Sequence, residues 1–262
     1  MPTRRTRDAI LRAANALLAV VLAPGCAACA RVLEDPINGP VCPRCWASVR
    51  RLIPPFCRTC GGMLPSWRVL DPARAMCPAC RRRPPSAVDV ARSAGEYVGP
   101  LRHIIHAFKY DARRSLASPL GELLCEAGGD LLKEASCVVP VPLHPWRRLY
   151  RGFNQAADLA GALPLPVVHA LWRRRMTASQ TGLSAGGRRR NVRGAFRLSP
   201  LLRRRVMQTM IANRIVVLVD DVRTTGATLD ACAHVLKDAG AKEVRALTVA
   251  RADPTHHSGV RL

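Results

Sequence analysis

Eight of the 11 cysteines stand in four Cys-x-x-Cys pairs within the first 80 residues, and no other feature limits the possible folds as strongly. Each pair turns two sulfurs toward one point, so two pairs together supply a closed tetrahedral site for Zn²⁺. The pairs are Cys26/Cys29, Cys42/Cys45, Cys57/Cys60 and Cys77/Cys80. Four identical spacings are typical of zinc ribbons rather than of a secreted disulfide framework or a lone redox pair. We expect two structural zinc sites and favour sequential pairing, although spacing alone leaves interleaved pairing open.

The composition excludes a disordered chain and favours anionic partners. Of the 262 residues, 48% are hydrophobic and 23% are charged, which is enough apolar material for a substantial core. Basic residues exceed acidic ones by 41 − 18 = 23, and such a charge attracts nucleic acid, nucleotides or anionic lipid. A coding bias toward arginine is an equally good explanation of much of this excess. Aromatic residues make up 4% of the chain, which argues against a broad stacking surface for single-stranded nucleic acid.

The N-terminal segment imitates a targeting signal. Basic residues precede an apolar stretch at 10–23, in the order found in signal peptides. Asp8 and Arg12 interrupt this pattern, and Cys26 is needed for a Cys-x-x-Cys pair. The stretch is also shorter than the roughly 20 residues that span a bilayer. We therefore expect a cytoplasmic protein without a membrane span, in which this segment is a helix packed on the first cysteine pair.

Composition changes sharply at 81–86, a segment that we interpret as an extended linker. It divides the chain into two predicted domains, 1–85 with the N-terminal helix and double zinc ribbon, and 86–262. In the second domain, short apolar runs alternate with helical patterns, which indicates an α/β fold with a parallel sheet and flanking helices. The expected helices span 99–110, 116–132, 154–163 and 227–239. The expected strands span 137–141, 215–219 and 244–250.

A strand that ends in two carboxylates and a threonine-rich loop is the clearest sign of a binding site. The strand 215–219 runs into Asp220 and Asp221, and Gly226 then opens a helix. Helix N-terminal N–H groups and threonine hydroxyls form a cradle for a phosphate dianion. The carboxylate pair is suited to accept hydrogen bonds from two vicinal sugar hydroxyls. The alternative is an ordinary strand–turn–helix with threonine caps. The chain has neither a Walker sequence nor a dinucleotide fingerprint.

The segment 173–205 holds 11 arginines and no acidic residue. Like charges at that density cannot pack against one another. We expect a mobile loop that waits for an anion.

The segment 219–228 resembles the phosphoribosyl-pyrophosphate (PRPP) motif of type I phosphoribosyltransferases. Further segments narrow the resemblance to the ComF family, the competence-protein group with an N-terminal double zinc ribbon. These segments are Phe108–Tyr110, Val139–His144, Arg151–Gln155, Gln180 to Asn191 and Gly194–Phe196. The resemblance covers nearly the whole chain, and the order and spacing of the motifs both fit.

The resemblance implies a type I phosphoribosyltransferase-like domain that binds PRPP with Mg²⁺. It assigns the ribose hydroxyls to Asp220 and Asp221. The residues around the 5′-phosphate are then Thr224, Thr225, Gly226, Ala227 and Thr228. The pyrophosphate contacts are Val141, Pro142, Leu143, His144 and Arg151. Gln180 and Arg188 belong to a flexible hood that closes over the substrate.

As the family name implies, our first functional hypothesis is the handling of single-stranded DNA during DNA uptake and natural transformation, with DNA-uptake proteins as partners. The arginine-rich segment is its expected surface, because a DNA backbone and pyrophosphate are both polyanions. The alternative is an active glycosyltransferase that moves the phosphoribosyl group to an unidentified base or amine. A regulator that senses PRPP is a third hypothesis. The motifs do not specify an acceptor.

Overall fold

The computed structural model describes residues 15, 23–65, 75–82, 85–175 and 194–252. The chain folds as two compact units, Met1–Arg50 with Val98–Leu116, and Arg51–Tyr97 with Ala117–Leu262. These units do not follow the division into 1–85 and 86–262, which stays a prediction. The second cysteine-rich segment groups with the sheet, and the segment 98–116 groups with the first.

The helices and strands follow one another along both units. In the described residues, the helices are α1 (Pro43–Ala47), α2 (Pro78–Arg81), α3 (Gly99–Tyr110), α4 (Ala117–Leu132), α5 (Pro145–Arg151), α6 (Gln155–Gly161), α7 (Arg204–Val206) and α8 (Ala227–Asp238). The strands are β1 (Val90–Glu96), β2 (Cys137–Pro140), β3 (Leu171–Arg173), β4 (Phe196–Leu198), β5 (Ile215–Arg223) and β6 (Glu243–Arg251). None of these helices has both the length and the apolar character needed to cross a membrane.

The long helix of the first unit, α3, has the bounds that its apolar stripe predicts. Leu101, Ile104, Ile105 and Phe108 are buried, and their spacing of three and four residues puts them on one face of a helix. Pro100 stands in the first turn, where a missing N–H costs nothing.

The second unit is built on a four-stranded sheet in the order β1-β6-β5-β2. Its neighbouring strands all pair in parallel. Helix α4 contacts β1 and β6, α6 contacts β2 and β5, and α8 contacts β5 and β6. The predicted parallel sheet with flanking helices is therefore confirmed.

Strand β5 lies inside the sheet between β6 and β2. Its residues 216–219 are completely buried, as expected for an unbroken apolar run in a parallel sheet. The strand continues four residues beyond the predicted end at Val219, because Asp220 still pairs with Thr248 and Arg223 with Arg251. Both carboxylates of the motif are thus held by a strand rather than by a turn.

Strand β1 was not expected from its sequence, which is rich in small and polar residues. The hydroxyls of Ser93 and Thr248 lie 2.7 Å apart in the interior, so each polar group is satisfied where it is buried. Strands β3 and β4 form a separate antiparallel pair.

Candidate functional site

The eight paired cysteines form two tetrads, in each of which the four sulfurs lie within 4.8 Å of one another. The first tetrad is Cys26, Cys29, Cys42 and Cys45, and the second tetrad is Cys57, Cys60, Cys77 and Cys80. The sulfurs of Cys29 and Cys42 are 4.0 Å apart, and those of Cys60 and Cys77 are 3.8 Å apart. Sulfurs at about 2.3 Å from a tetrahedral Zn²⁺ lie about 3.8 Å from one another. Both tetrads therefore have the dimensions of a tetrathiolate metal site.

The two tetrads repeat one local design. The N–H of Cys42 donates to Sγ of Cys26 at 3.3 Å, and the N–H of Cys77 donates to Sγ of Cys57, also at 3.3 Å. Helices α1 and α2 begin directly after Cys42 and Cys77, each with proline in its first turn. The grouping is sequential, so the interleaved alternative is excluded.

The loops that follow β2 and β5 lie side by side at one edge of the sheet. Because β2 and β5 are parallel neighbours, their carboxyl ends meet at this edge. The N–H of Val141 donates to the carbonyl of Val219 at 2.9 Å. The structure thus brings the 141–144 loop next to the carboxylates of Asp220 and Asp221.

Strand β5 positions the two carboxylate residues, and a backbone N–H within the pair orients one of the two side chains. Asp220 and Asp221 are half-buried. The N–H of Asp221 donates to Oδ1 of Asp220 at 2.9 Å, which fixes the direction of the Asp220 side chain. Two carboxylates on neighbouring residues can accept hydrogen bonds from a pair of neighbouring hydroxyls.

The loop between β5 and α8 ends at Gly226, which has φ 79° and caps the helix without a side chain. A residue with a Cβ pays a steric penalty in this left-handed conformation, and glycine does not. The N–H of Ala227 lies 3.4 Å from Oγ1 of Thr225. Thr224, Thr225 and Thr228 are half-buried around this helix N-terminus. The positive end of the helix dipole and these hydroxyls suit an anion.

The 141–144 loop leads into α5 through His144, whose Nδ1 accepts from the N–H of Trp146 at 3.4 Å. Val141 is buried, and Pro142, Leu143 and His144 are half-buried. Partial burial, together with the guanidiniums of Arg173 and Arg147, lowers the pKa of His144. A neutral imidazole is the form that can accept the Trp146 hydrogen bond.

Arg151 and Asn154 lie where α5 is followed by α6, and Asn154 connects this junction to the edge of the sheet. Nη1 of Arg151 donates to Oε1 of the buried Gln155 at 3.3 Å. Nδ2 of Asn154 donates to the carbonyl of Val141 at 3.2 Å, while its Oδ1 accepts from the N–H of Ala156 to cap α6. Asn154 therefore ties the helix start to the loop.

Arg173 is a site residue that sequence reasoning missed. It ends β3, is 6% exposed, and its guanidinium carbon lies 5.3 Å from the centre of the Phe196 ring. Burial lowers the pKa of Arg173, as does Arg147, whereas Asp220 acts in the opposite direction. From the sequence alone, Arg173 is only the first of 11 arginines in an expected mobile loop. A buried arginine in a three-residue strand has no sequence signal that separates it from its exposed neighbours.

Two site predictions cannot be compared with the structure. Gln180 and Arg188 lie outside the described residues. Their assignment to a hood over the site stays a prediction.

Comparison with known proteins gives one domain family and several relatives. Residues 149–258 match the model of the phosphoribosyl transferase domain. The chain is 32% identical over 237 residues to competence protein F of Haemophilus influenzae, covering 87% of this chain and 96% of that protein. It is 34% identical over 188 residues to the DNA utilization protein YhgH of Escherichia coli K12, covering 67% and 77%. It is 30% identical over 164 residues to competence protein ComFC of Streptococcus pneumoniae, covering 61% and 67%.

Proposed function

This chain belongs to the ComF family of competence protein F-like proteins, and on that basis we propose that it binds PRPP and handles single-stranded DNA during DNA uptake. The competence and DNA-utilization names of its relatives support the second half of this proposal. We propose the cytoplasm as its compartment, because cysteines arranged as metal ligands are typical of reducing conditions.

The observation that carries PRPP binding is the meeting of two loops at the carboxyl edge of β2 and β5. The carboxyl-terminal part of β5 offers the carboxylates of Asp220 and Asp221 for the ribose hydroxyls. Residues 224–228 and the N-terminus of α8 offer N–H groups and hydroxyls for the 5′-phosphate. The 141–144 loop and Arg151 border the place left for the pyrophosphate. Sugar, phosphate and pyrophosphate thus each have groups of matching chemistry.

The charges at this edge agree with the assignment. Partial burial and the positive charges of Arg173 and Arg147 lower the pKa of His144, so two guanidiniums act electrostatically on the 141–144 loop. One guanidinium group can donate two parallel hydrogen bonds to two oxygens of a phosphate, and these hydrogen bonds are stronger where water is excluded. Mg²⁺ that arrives with PRPP would add a hard cation for its oxygens, and Asp220 and Asp221 are oxygen donors of the kind that Mg²⁺ prefers.

We further propose that each cysteine tetrad holds Zn²⁺ in a structural role. Four sulfurs fill a tetrahedral shell and leave no position for water or substrate. A small segment with few aromatic residues gains the binding free energy of the metal as folding free energy.

The exposed side chains of helix α5 support the proposal that the chain handles single-stranded DNA. Trp146, Leu149 and Tyr150 are 68%, 77% and 90% exposed, and Trp146 and Tyr150 are four residues apart on one helical face. Arg147 and Arg148 lie on the same short helix. Exposed rings beside arginines bind single strands by stacking on bases and attracting phosphates. Two of the 11 Phe, Trp and Tyr residues are thus exposed on this one short helix.

The alternative function is an active phosphoribosyltransferase. In that reaction an acceptor nitrogen would form a bond to C1 of the ribose as the bond to pyrophosphate breaks. Asp220 and Asp221 would face the positive charge on the sugar, and Arg173 the negative charge on the leaving group. The residues at this edge suit the donor, and the acceptor stays unspecified.

Two titrations and one assay test the proposal together. Calorimetry with PRPP and Mg²⁺ is expected to give binding at one site per chain. Fluorescence anisotropy with a labelled oligo-dT is expected to give salt-dependent binding. A pyrophosphate-release assay with pooled bases and amines distinguishes the alternative, because sustained release would make the chain an enzyme. A wild-type protein that binds no PRPP contradicts the first half of the proposal, and one that binds no oligonucleotide contradicts the second.

A further inference from the structure

Arg223, the last residue of β5, carries a buried guanidinium between the phosphate loop (residues 224–226, between β5 and α8) and the second tetrad. The residue is 7% exposed, and its Nη1 has no hydrogen-bond partner among the described residues. Burial lowers the pKa of Arg223, whereas the sulfurs of Cys60, Cys80 and Cys57 act in the opposite direction. A buried cation without full hydrogen bonding is costly unless negative charge lies nearby. The second tetrad is the charge that the structure provides.

Arg251 makes the same connection from the neighbouring strand. Its Nη1 donates to the carbonyl of Cys60 at 3.1 Å and to Sγ of Cys60 at 2.9 Å. Arg223 and Arg251 are paired in the β5–β6 register, so their side chains leave the sheet on the same face. Two guanidiniums side by side repel each other. Four thiolates with one Zn²⁺ carry a net charge of about −2, which balances the two cations.

The chain makes room for Arg251 at the second tetrad. A Cβ at Gly62 would overlap the Arg251 guanidinium. Gly62 follows Cys60 by two residues, as Arg31 follows Cys29 in the first tetrad. There, the backbone N–H and the side chain of Arg31 both hydrogen-bond to Cys29 and lower its pKa. The first tetrad thus has a local arginine, whereas the second receives arginines from the sheet.

The Arg223 guanidinium also packs against the backbone of the phosphate loop at Gly226. A Cβ at Gly226 would lie 2.9 Å from Nη2 and 3.1 Å from Cζ of Arg223. The guanidinium is therefore in contact with the backbone that bends into the left-handed conformation at the start of α8. Any displacement of Arg223 changes the space beneath this bend.

We propose that Arg223 is a positioning residue that couples the metal-loaded second tetrad to the phosphate loop. The negative charge of the tetrad holds the guanidinium, and the guanidinium holds residues 224–226 in the shape that accepts a phosphate. This inference rests on the proposed PRPP site. The second tetrad then has a part in ligand binding that the first tetrad lacks.

The first experiment follows metal release to a colorimetric chelator in the absence of PRPP, using full-length protein. Arg223→Met keeps the apolar stem and loses the charge, whereas Arg223→Lys keeps the charge. We expect one of the two zinc equivalents to leave about tenfold faster in Arg223→Met, with Arg223→Lys closer to wild type. Arg245→Met, which removes a largely buried arginine from the neighbouring strand β6, is the matched control and is expected to release both equivalents at wild-type rates.

The second experiment measures hydrogen exchange of peptides that cover residues 224–229, again without PRPP. Arg223→Met is expected to raise exchange there, and Arg223→Lys to restore part of the protection. If Arg223 acted only by packing, Arg223→Met would exchange more slowly than Arg223→Lys. The Met side chain would fill the space of the apolar Arg stem, and the lost charge would not matter. Wild-type metal release in Arg223→Met, or equal defects in Met and Lys variants, would overturn the coupling.

The third experiment uses wild-type protein alone, so it stands even if Arg223→Met does not fold. Coupling is reciprocal, and PRPP is therefore expected to slow the release of one zinc equivalent and not of the other. Equal release rates with and without saturating PRPP contradict the proposal. A wild type that binds no PRPP in calorimetry contradicts the proposed function instead, and the chelator and exchange results still decide whether Arg223 couples tetrad and loop.

Discussion

The N–H of Val141 donates to the carbonyl of Val219 at 2.9 Å, one residue beyond the last register pair between Pro140 and Val219. The β2–β5 ladder therefore ends where the carboxylates begin. A ligand that reaches Asp220 has the 141–144 loop as its neighbour, because no strand separates the two within the described residues.

The first prediction concerns the metal content of the chain. Elemental analysis of protein purified without added metal is expected to give two zinc ions per chain. Cys45→Ser removes one of four ligands from the first tetrad, so the count is expected to fall to about one. Cys125→Ser, outside both tetrads, is the control and is expected to keep two. A count near zero, with all 11 cysteines reacting as free thiols, would disprove both metal sites.

The second prediction concerns the carboxylate pair. The double variant Asp220→Asn with Asp221→Asn loses the charged acceptors for the ribose hydroxyls. Hydrogen bonds to charged groups contribute roughly 1.5–3 kcal/mol each, so PRPP affinity is expected to fall on the order of 10²-fold or more. Asp238→Asn, at the opposite end of α8, is the matched control. Calorimetry that gives equal PRPP affinity for the double variant and the wild type would refute the site.

The third prediction concerns the exposed rings of α5. Trp146→Ala and Tyr150→Ala each remove a surface on which a base can stack, a contact worth about 1–3 kcal/mol. The affinity for oligo-dT is expected to fall about tenfold for each variant. Tyr110→Ala removes a ring that is 54% exposed on α3, and no change is expected. Anisotropy titrations in which all three variants match the wild type would exclude α5 as the DNA surface.

The fourth prediction compares two glycines in the left-handed conformation. Gly226 has φ 79° and Gly152 has φ 76°, so alanine at either position pays a similar backbone penalty of about 1–2 kcal/mol. A Cβ at Gly226 also meets the Arg223 guanidinium, whereas nothing lies within 4 Å of one at Gly152. Urea unfolding is expected to show Gly226→Ala as the less stable variant, by about 1 kcal/mol or more. Equal unfolding free energies would mean that the loop adapts without cost.

Sequence reasoning succeeded where a local pattern carries the physical cause. The apolar stripe of α3 and the unbroken apolar run of β5 each follow from burial on one face or on both. It fell short where the cause lies in a distant partner. Strand β1 is stabilised by a buried hydrogen bond between the hydroxyls of Ser93 and Thr248. The seven residues of β1 contain no pattern that predicts Thr248 as a partner. The extension of β5 through Asp220 likewise depends on β6.

The candidate site also has parts that could be predicted from local sequence and parts that could not. The spacing of the cysteine pairs predicts two metal sites, but the choice between sequential and interleaved pairing needed the positions of the sulfurs. The segment 220–228 is recognisable from its residues alone. Arg173 and Arg223 are not, because an arginine in a highly basic chain is expected at the surface. Only the fold reveals that both are buried, and that Asp220 acts on the pKa of Arg173 and the second tetrad on the pKa of Arg223.

The hydrogen bond from Arg251 to Cys60 joins residues that are 191 positions apart in the chain. A chain emerges from the ribosome in sequence order. Arg31 has therefore already been synthesised when Cys45, the last residue of the first tetrad, is added. The Arg251 contact of the second tetrad can form only after β6 has been synthesised and paired. The two tetrads therefore gain their arginines at different times, and the second does so only when β6 has joined the sheet.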